Sequence, residues 1–80
     1  MAISPSQAFG DALRELRAER GLSQEDAALA SGIDRAYYGK LERADKVPTL
    51  TTVWKIANAF DVQPSELLSR AEKLLHSVEP

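Results

Sequence analysis

The chain has 80 residues and a mass of 8.8 kDa, the size of one small domain with a modest core. Apolar residues make up 44% and charged residues 28%, which excludes a collagen-like or low-complexity disordered chain. Cysteine is absent and His76 is the only histidine, which excludes disulfide scaffolds, thiolate nucleophiles, iron–sulfur clusters and cysteine or paired-histidine metal sites. We therefore expect no metal and no cofactor.

Enzyme and membrane functions are also disfavoured by the sequence. No spacing of Ser, His and Asp suggests a catalytic triad, so an enzyme is not expected. No apolar run approaches the roughly 20 residues that cross a bilayer, and the first ten residues, MAISPSQAFG, do not resemble a secretion signal. We expect a cytoplasmic protein of a single domain, residues 1–80, with no membrane partner.

The net charge of −2 does not by itself suggest nucleic-acid binding, but the charge is unevenly distributed. Residues 35–55 contain five basic and two acidic side chains, whereas residues 23–34 contain three acidic and no basic ones. The excess positive charge therefore lies in one stretch of about twenty residues. On charge alone, a solvated surface is favoured over a binding site for this stretch.

The hydrophobic periodicity is helical along the whole chain and predicts five helices. Helix 1 is expected from Ser6 to Arg20, with an inward stripe of Phe9, Leu13 and Leu16, and Gly21 ends it. Helix 2 is predicted to begin at a capping Ser23 and to stop at Gly32. Helix 3 follows a capping Asp34 and runs to about Arg43.

The second half of the chain predicts two further helices. Thr49 is expected to cap helix 4, and Pro64 to occupy the first position of helix 5, which runs over residues 64–77. The inward positions of helix 4 are predicted to be Leu50, Val53, Ile56, Ala57 and Phe60. The apolar stripe of helix 5 is wider than so small a core needs, which suggests that it also forms a dimer contact.

Residues 24–43 have the packing requirements of a helix-turn-helix. Ala28 is small enough for two helices to approach closely, and Gly32 tolerates the positive φ of a tight turn. Ile33, Tyr38 and Leu41 supply apolar contacts that would hold helix 3 on the body of the domain. The sequence therefore predicts a compact all-α fold of five helices that contains this motif.

The stretch LRELRAERGLSQEDAALASGIDRAYYGKLERADKVPTLTTVWKIANAFDVQPSELL, residues 13–68, resembles the lambda-repressor-like, Cro-like (XRE-type) DNA-binding domains. The matching features are an Arg-rich first helix and the motifs S-Q-E, A-x-x-x-G-I, L-E-R, P-T-L and S-E-L-L. Within that family, the segment GIDRAYYGKLER is most similar to restriction–modification controller proteins. Four positions depart from the usual family pattern: Ala27, Tyr38, Ala44 and Asp61, the last two standing where glycine is common.

The resemblance implies that helix 3 enters the major groove of DNA. Its solvent-facing positions, the expected base-reading residues, are Arg35, Ala36, Tyr37 and Lys40. Arg35 is the first candidate because a guanidinium can bond bidentately to guanine O6 and N7. Tyr37 could equally pack sideways against helix 2. Phosphate contacts are expected from Ser23, Gln24, Arg43, Lys46 and Thr49.

Two further roles follow from the resemblance. Arg17 and Glu42 are expected to form a buried ion pair that ties helix 1 to helix 3, although Arg17 could also bind a phosphate. The dimer contact is expected to use residues Trp54, Leu67, Leu68, Ala71, Leu74 and Leu75.

These features predict a sequence-specific regulator of transcription that binds double-stranded DNA as a homodimer on a near-palindromic operator. RNA polymerase is a further possible partner. The alternative is a protein-interaction module of the same fold, antitoxin-like or contacting a polymerase, which the negative net charge would suit.

Overall fold

The computed structural model describes residues 3–77, which contain five helices and no strand. In chain order they are α1 (Pro5–Glu19), α2 (Gln24–Ser31), α3 (Arg35–Glu42), α4 (Leu50–Ala59) and α5 (Pro64–Ser77). This confirms the predicted all-α fold and the order of its helices. The sequence also suggests Val78 as a last apolar residue of the helix 5 stripe, and this residue lies outside the described residues.

Side-chain caps fix where the helices begin. The Ser23 hydroxyl accepts a hydrogen bond from the backbone N–H of Asp26, and the Asp26 carboxylate accepts one from the N–H of Ser23. Asp34 and Thr49 cap α3 and α4 as predicted. The start of α1 differs slightly from the prediction, because Ser4 forms the capping box with Gln7 and the helix starts at Pro5.

At two bends of the chain, a residue other than glycine has backbone dihedral angles in the left-handed region. Ala44 has φ of 63° and Asp61 has φ of 56°. A left-handed conformation costs a residue with a Cβ about 1–2 kcal/mol, although aspartate tolerates it better than alanine does. The chain therefore keeps the bends at these two positions despite the departures from the family pattern, and Ala44 carries the larger strain.

The core forms where α1 packs against α3 and α5, and where α2 packs against α3 and α4. Its largest fully buried apolar side chains are Leu13, Leu16, Tyr38, Leu41, Ile56, Phe60 and Leu67. On the surface, Arg70 of α5 bonds to Glu15 and Glu19 of α1. The prediction that Leu50 faces inward is wrong: its side chain is 74% exposed, because it lies in the first turn of α4 at the edge of the helix packing.

Gly10 marks a close approach of two helix backbones, a role that was not predicted from the sequence. It lies in α1 against the last turn of α3, and a Cβ on Gly10 would stand 2.4 Å from the carbonyl oxygen of Glu42. The same atom would stand 2.8 Å from the carbonyl oxygen of Leu41. Because both obstacles are backbone atoms, α1 would have to move away from α3.

We expect Gly10→Ala to lower the free energy of unfolding by about 1–3 kcal/mol, the usual effect of overpacking. An alanine that fits inside a helix would instead raise it by about 1 kcal/mol, so the sign of the change is diagnostic. Urea unfolding followed by circular dichroism measures the difference. Gly39→Ala in α3 is the matched control: the nearest obstacle is the end of the Arg43 side chain, and no loss of stability is expected.

Candidate nucleic-acid interface

The turn between α2 and α3 has the geometry of a helix-turn-helix. Gly32 ends α2 with φ of 67°, and the N–H of Ile33 reaches back to the carbonyl of Ala28 at 3.0 Å. The hydroxyl of the buried Ser31 donates to the carbonyl of Ala27 at 2.7 Å, which satisfies it within α2. The turn is therefore tight and fixes the direction in which α3 leaves α2.

One face of α3 is buried and the opposite face is open to solvent. Tyr38, Leu41 and Glu42 point into the domain. Arg35, Ala36 and Lys40 are exposed, as expected of residues that read bases, whereas Tyr37 is half-buried and packs against the core. Tyr37 therefore presents only part of its side chain to a ligand.

A buried carboxylate joins α3 to both preceding helices. Glu42 is only 2% exposed, and Arg17 of α1 binds it through two bonds, Nε to Oε2 at 2.7 Å and Nη2 to Oε1 at 3.0 Å. Gln24 of α2 also donates from Nε2 to Oε1 of Glu42 at 2.9 Å. The remaining Arg17 nitrogen, Nη1, donates to the carbonyl of Leu22 at 3.1 Å. Arg17 is therefore engaged inside the domain rather than free for a phosphate.

The hydrogen bonds of this cluster set the protonation of Glu42. Burial alone would raise the pKa of its carboxyl group, but the hydrogen bonds from Arg17 and Gln24 outweigh burial and hold the pKa below its usual value of 4.5. The hydrogen bond to Glu42 in turn raises the pKa of Arg17. Both groups are therefore charged at neutral pH.

Tyr38 lies beside this ion pair with a buried hydroxyl group. Its oxygen makes no hydrogen bond within the described residues, and burial together with the negative charge of Glu42 raises the pKa of Tyr38. Tyr38 stays a neutral phenol and contributes to the core mainly through its ring. A buried hydroxyl group without a hydrogen bond is unfavourable. The packing of the Tyr38 ring is therefore partly offset by the free energy that its hydroxyl group loses on leaving water.

The predicted phosphate-binding residues have different surroundings. Lys46 is exposed. The Ser23 and Thr49 oxygens are used as caps, and Gln24 is half-buried with its carboxamide bonded to Glu42. Arg43 is exposed but donates from Nε to Oδ2 of Asp45 at 3.2 Å. A link from Gln24 to the buried ion pair was not predicted, because it depends on the folded packing of α2 on α3.

The predicted dimer residues divide into core and surface. Leu67 is completely buried and Ala71 is 8% exposed, so both belong to the chain's own core; this corrects their assignment to a dimer contact. Leu74 and Leu75 are half-buried. Trp54 of α4 and Leu68 of α5 are exposed, the former by 56% of its surface.

Within residues 3–77, no helix is long and apolar enough to cross a membrane. In the same part of the chain, no group of three or more His, Cys, Asp or Glu side chains is placed to hold a metal ion.

The lowered pKa of Glu42 predicts how stability depends on pH. Because the folded-state pKa lies below the unfolded value, the ionised carboxylate stabilises the fold above about pH 4.5, and this contribution is lost as the pH falls through the folded-state pKa. Glu42→Gln lacks this contribution and leaves Arg17 without its counter-charge. The wild type is therefore expected to be more stable than Glu42→Gln at pH 7, and the difference in free energy of unfolding shrinks below pH 4.5.

Urea unfolding of both proteins between pH 3 and pH 7 measures this difference. Glu25→Gln is the control, because it makes the same chemical change on an exposed side chain, where charge contributes little to stability. A gap between wild type and Glu42→Gln that is independent of pH would contradict the assignment.

Comparison with known proteins agrees with this geometry. The helix-turn-helix family HTH_3 matches residues 13–67. The transcriptional regulator SutR of Escherichia coli is 38% identical over 66 residues, which cover 82% of this chain but only 37% of SutR. The control protein C.MunI of a Mycoplasma species is 38% identical over 66 residues, which cover 81% of this chain and 89% of C.MunI.

A solved structure shows the same likeness. The restriction-modification controller protein C.AhdI of Aeromonas hydrophila superposes with a TM-score of 0.75 at 47% identity, over 78% of this chain and 94% of C.AhdI. The family match spans more than half of the chain and includes the turn and all of α3. The chain therefore belongs to the HTH_3 helix-turn-helix family of transcriptional regulators, and it is similar to restriction–modification controller proteins.

Proposed function

We propose that this chain binds double-stranded DNA in a sequence-specific manner, as a homodimer on a near-palindromic operator, with α3 in the major groove. The observation that carries the proposal is the two-sided character of α3, whose inner face is anchored in the core while Arg35, Ala36 and Lys40 stay exposed. The major groove is about 12 Å wide and admits a helix presented in this way. The relatives named above come from bacteria, whose DNA lies in the cytoplasm, and we propose that this chain acts there.

The exposed side chains of α3 suit different parts of the duplex. Arg35 lies at the N-terminal end of the helix, where a guanidinium can reach the edge of a guanine. Lys40 lies more than one turn later and can donate to a base or to a phosphate. Ala36 and the exposed part of Tyr37 can contact a thymine methyl group. Lys46, which follows α3, is proposed to contact the DNA backbone.

Exposed apolar residues on α4 and α5 support the dimer. Leu50 and Trp54 line one surface groove, and Trp54 and Pro64 line the next. Leu68 lies one helical turn after Pro64 on α5. We name the exposed residues Leu50, Trp54 and Leu68, together with the half-buried Pro64, the α4–α5 face and propose that it pairs with the same face of a second copy. A two-fold dimer would place two α3 helices about 34 Å apart, one turn of DNA.

A protein-interaction role remains the second candidate, because α2 exposes an unusual surface. Leu29 is 82% exposed on the same short helix as the exposed acidic residues Glu25 and Asp26. Such a surface suits a basic protein partner. RNA polymerase is the protein partner that the sequence analysis predicted, and no observation tests it. If selection from random duplexes at low salt enriches no site, this second candidate is favoured.

Arg35 and Lys46 are expected to affect DNA binding in different ways. Binding sites are first selected from random duplexes with the purified wild type. Arg35→Ala should then relax the preference at one base position by about 1–3 kcal/mol. Lys46→Ala should weaken binding to all duplexes alike and reduce the slope of log affinity against log salt by about 0.9. Unchanged base preference in Arg35→Ala would show that Arg35 does not read a base.

If the chain dimerises through the α4–α5 face, the fluorescence of Trp54, the only tryptophan in the chain, should depend on protein concentration. Burial of this side chain against a second copy should shift its fluorescence to shorter wavelength as protein concentration rises. Sedimentation equilibrium should show twice the protomer mass of 8.8 kDa over the same range.

Leu50→Lys should abolish both signals without affecting the fold, because the side chain is already exposed. Leu29→Lys, the same change on an exposed leucine of α2, should leave both signals intact. A monomer at all concentrations, or a dimer that survives Leu50→Lys, would refute the α4–α5 face.

A further inference from the structure

The end of the exposed Arg43 side chain lies over Gly39, one turn earlier in α3. A Cβ atom on Gly39 would stand 3.1 Å from Nη1 of Arg43 and 3.9 Å from its Cζ. The first distance is shorter than an ordinary van der Waals contact, so the guanidinium occupies space that any other residue at position 39 would fill. Gly39 is buried for this reason although it lies near the solvent-facing side of the helix.

Two other side chains, Gln24 and Asp45, lie near the guanidinium group of Arg43. The Gln24 Oε1 atom is 3.5 Å from the same Cβ position on Gly39, so the ends of the Gln24 and Arg43 side chains both lie close to this one residue. Gln24 is itself held by its bond to Glu42. On the other side, Oδ2 of Asp45 accepts the hydrogen bond from Nε of Arg43 at 3.2 Å.

This arrangement leaves donors available on Arg43. The guanidinium has five N–H groups, and the bond to Asp45 uses the one on Nε. An exposed pair such as Arg43 and Asp45 contributes little to stability, so its main consequence is the conformation of Arg43. The Gln24 carboxamide, whose Oε1 lies close to Gly39, has a second N–H on Nε2 besides the one bonded to Glu42. Donors from both side chains can bond to the oxygens of one phosphate group.

We propose that Gly39 and Asp45 are positioning residues that hold Arg43 beside Gln24, so that both side chains act on one backbone phosphate of duplex DNA. The inference rests on the proposed function. It goes beyond the expectation drawn from the sequence, which named Gln24 and Arg43 as separate phosphate contacts.

The test measures dissociation constants over a salt series, using the duplex selected with the wild type. Arg43→Ala should weaken binding about tenfold and reduce the salt slope by about 0.9, the effect of one lost phosphate contact. Gly39→Leu fills the place of the guanidinium and should have the same effect. The double variant Gly39→Leu/Arg43→Ala should bind within about twofold of Arg43→Ala alone, because the contact is already lost.

Gly39→Ala keeps the test valid if Gly39→Leu does not fold. It displaces Nη1 by only a few tenths of an ångström, and should weaken binding by about twofold to threefold with no loss of thermal stability. This combination separates positioning from a structural role, which would lower stability and affinity together.

Three results would overturn the proposal. If Gly39→Leu binds like the wild type with an unchanged salt slope, Arg43 does not need the space above Gly39. If Gly39→Leu weakens binding equally in the Arg43→Ala background, its side chain collides with DNA directly. If the wild type selects and binds no duplex at any salt concentration, the proposed function itself fails and this inference fails with it.

Discussion

The carboxylate of Glu42 is the group on which the arrangement of the first three helices depends. A charge that is 2% exposed is stable only if it is paired and hydrogen-bonded, and its partners come from α1 and from α2. The pair therefore constrains three helices at one point, whereas an apolar contact would allow them to slide. Gly10 lets the backbone of α1 approach the last turn of α3 in the same region. Polar pairing and close backbone packing thus fix the same junction.

Because one side of α3 is anchored in the core, the side chains on its opposite side are held in fixed positions facing solvent. Tyr38, Leu41 and Glu42 hold the helix on the body of the domain, and the exposed side chains are carried by a rigid element. The net charge of −2 is then a poor guide to function, because the basic excess of residues 35–55 includes α3 and the connection that follows it. Local placement of charge governs contact with a duplex more directly than the total does.

Much of the fold could be predicted because its determinants are local. The caps Ser23, Asp34 and Thr49 and the turn at Gly32 act on residues a few positions away, and the structure shows each of them. Other features depend on which helices meet in space. Leu50 has the periodicity of an inward residue but lies where the packing ends, and Gly10 looks like an unfavourable helix residue until α3 is placed beside it. The candidate site shows the same division: the exposure of Arg35, Ala36 and Lys40 could be predicted from the helical period, but the link from Gln24 to Glu42 could not.

The central claim is that the solvent-facing side of α3 is the surface that meets DNA. It is tested most directly by recording backbone amide chemical shifts of the labelled protein by NMR while the selected duplex is added. Contact through α3 predicts large shifts in α3, at the first turn of α2 and in the connection that follows α3, with small shifts in the second half of α5. Large shifts in the second half of α5, with α3 unchanged, would contradict it.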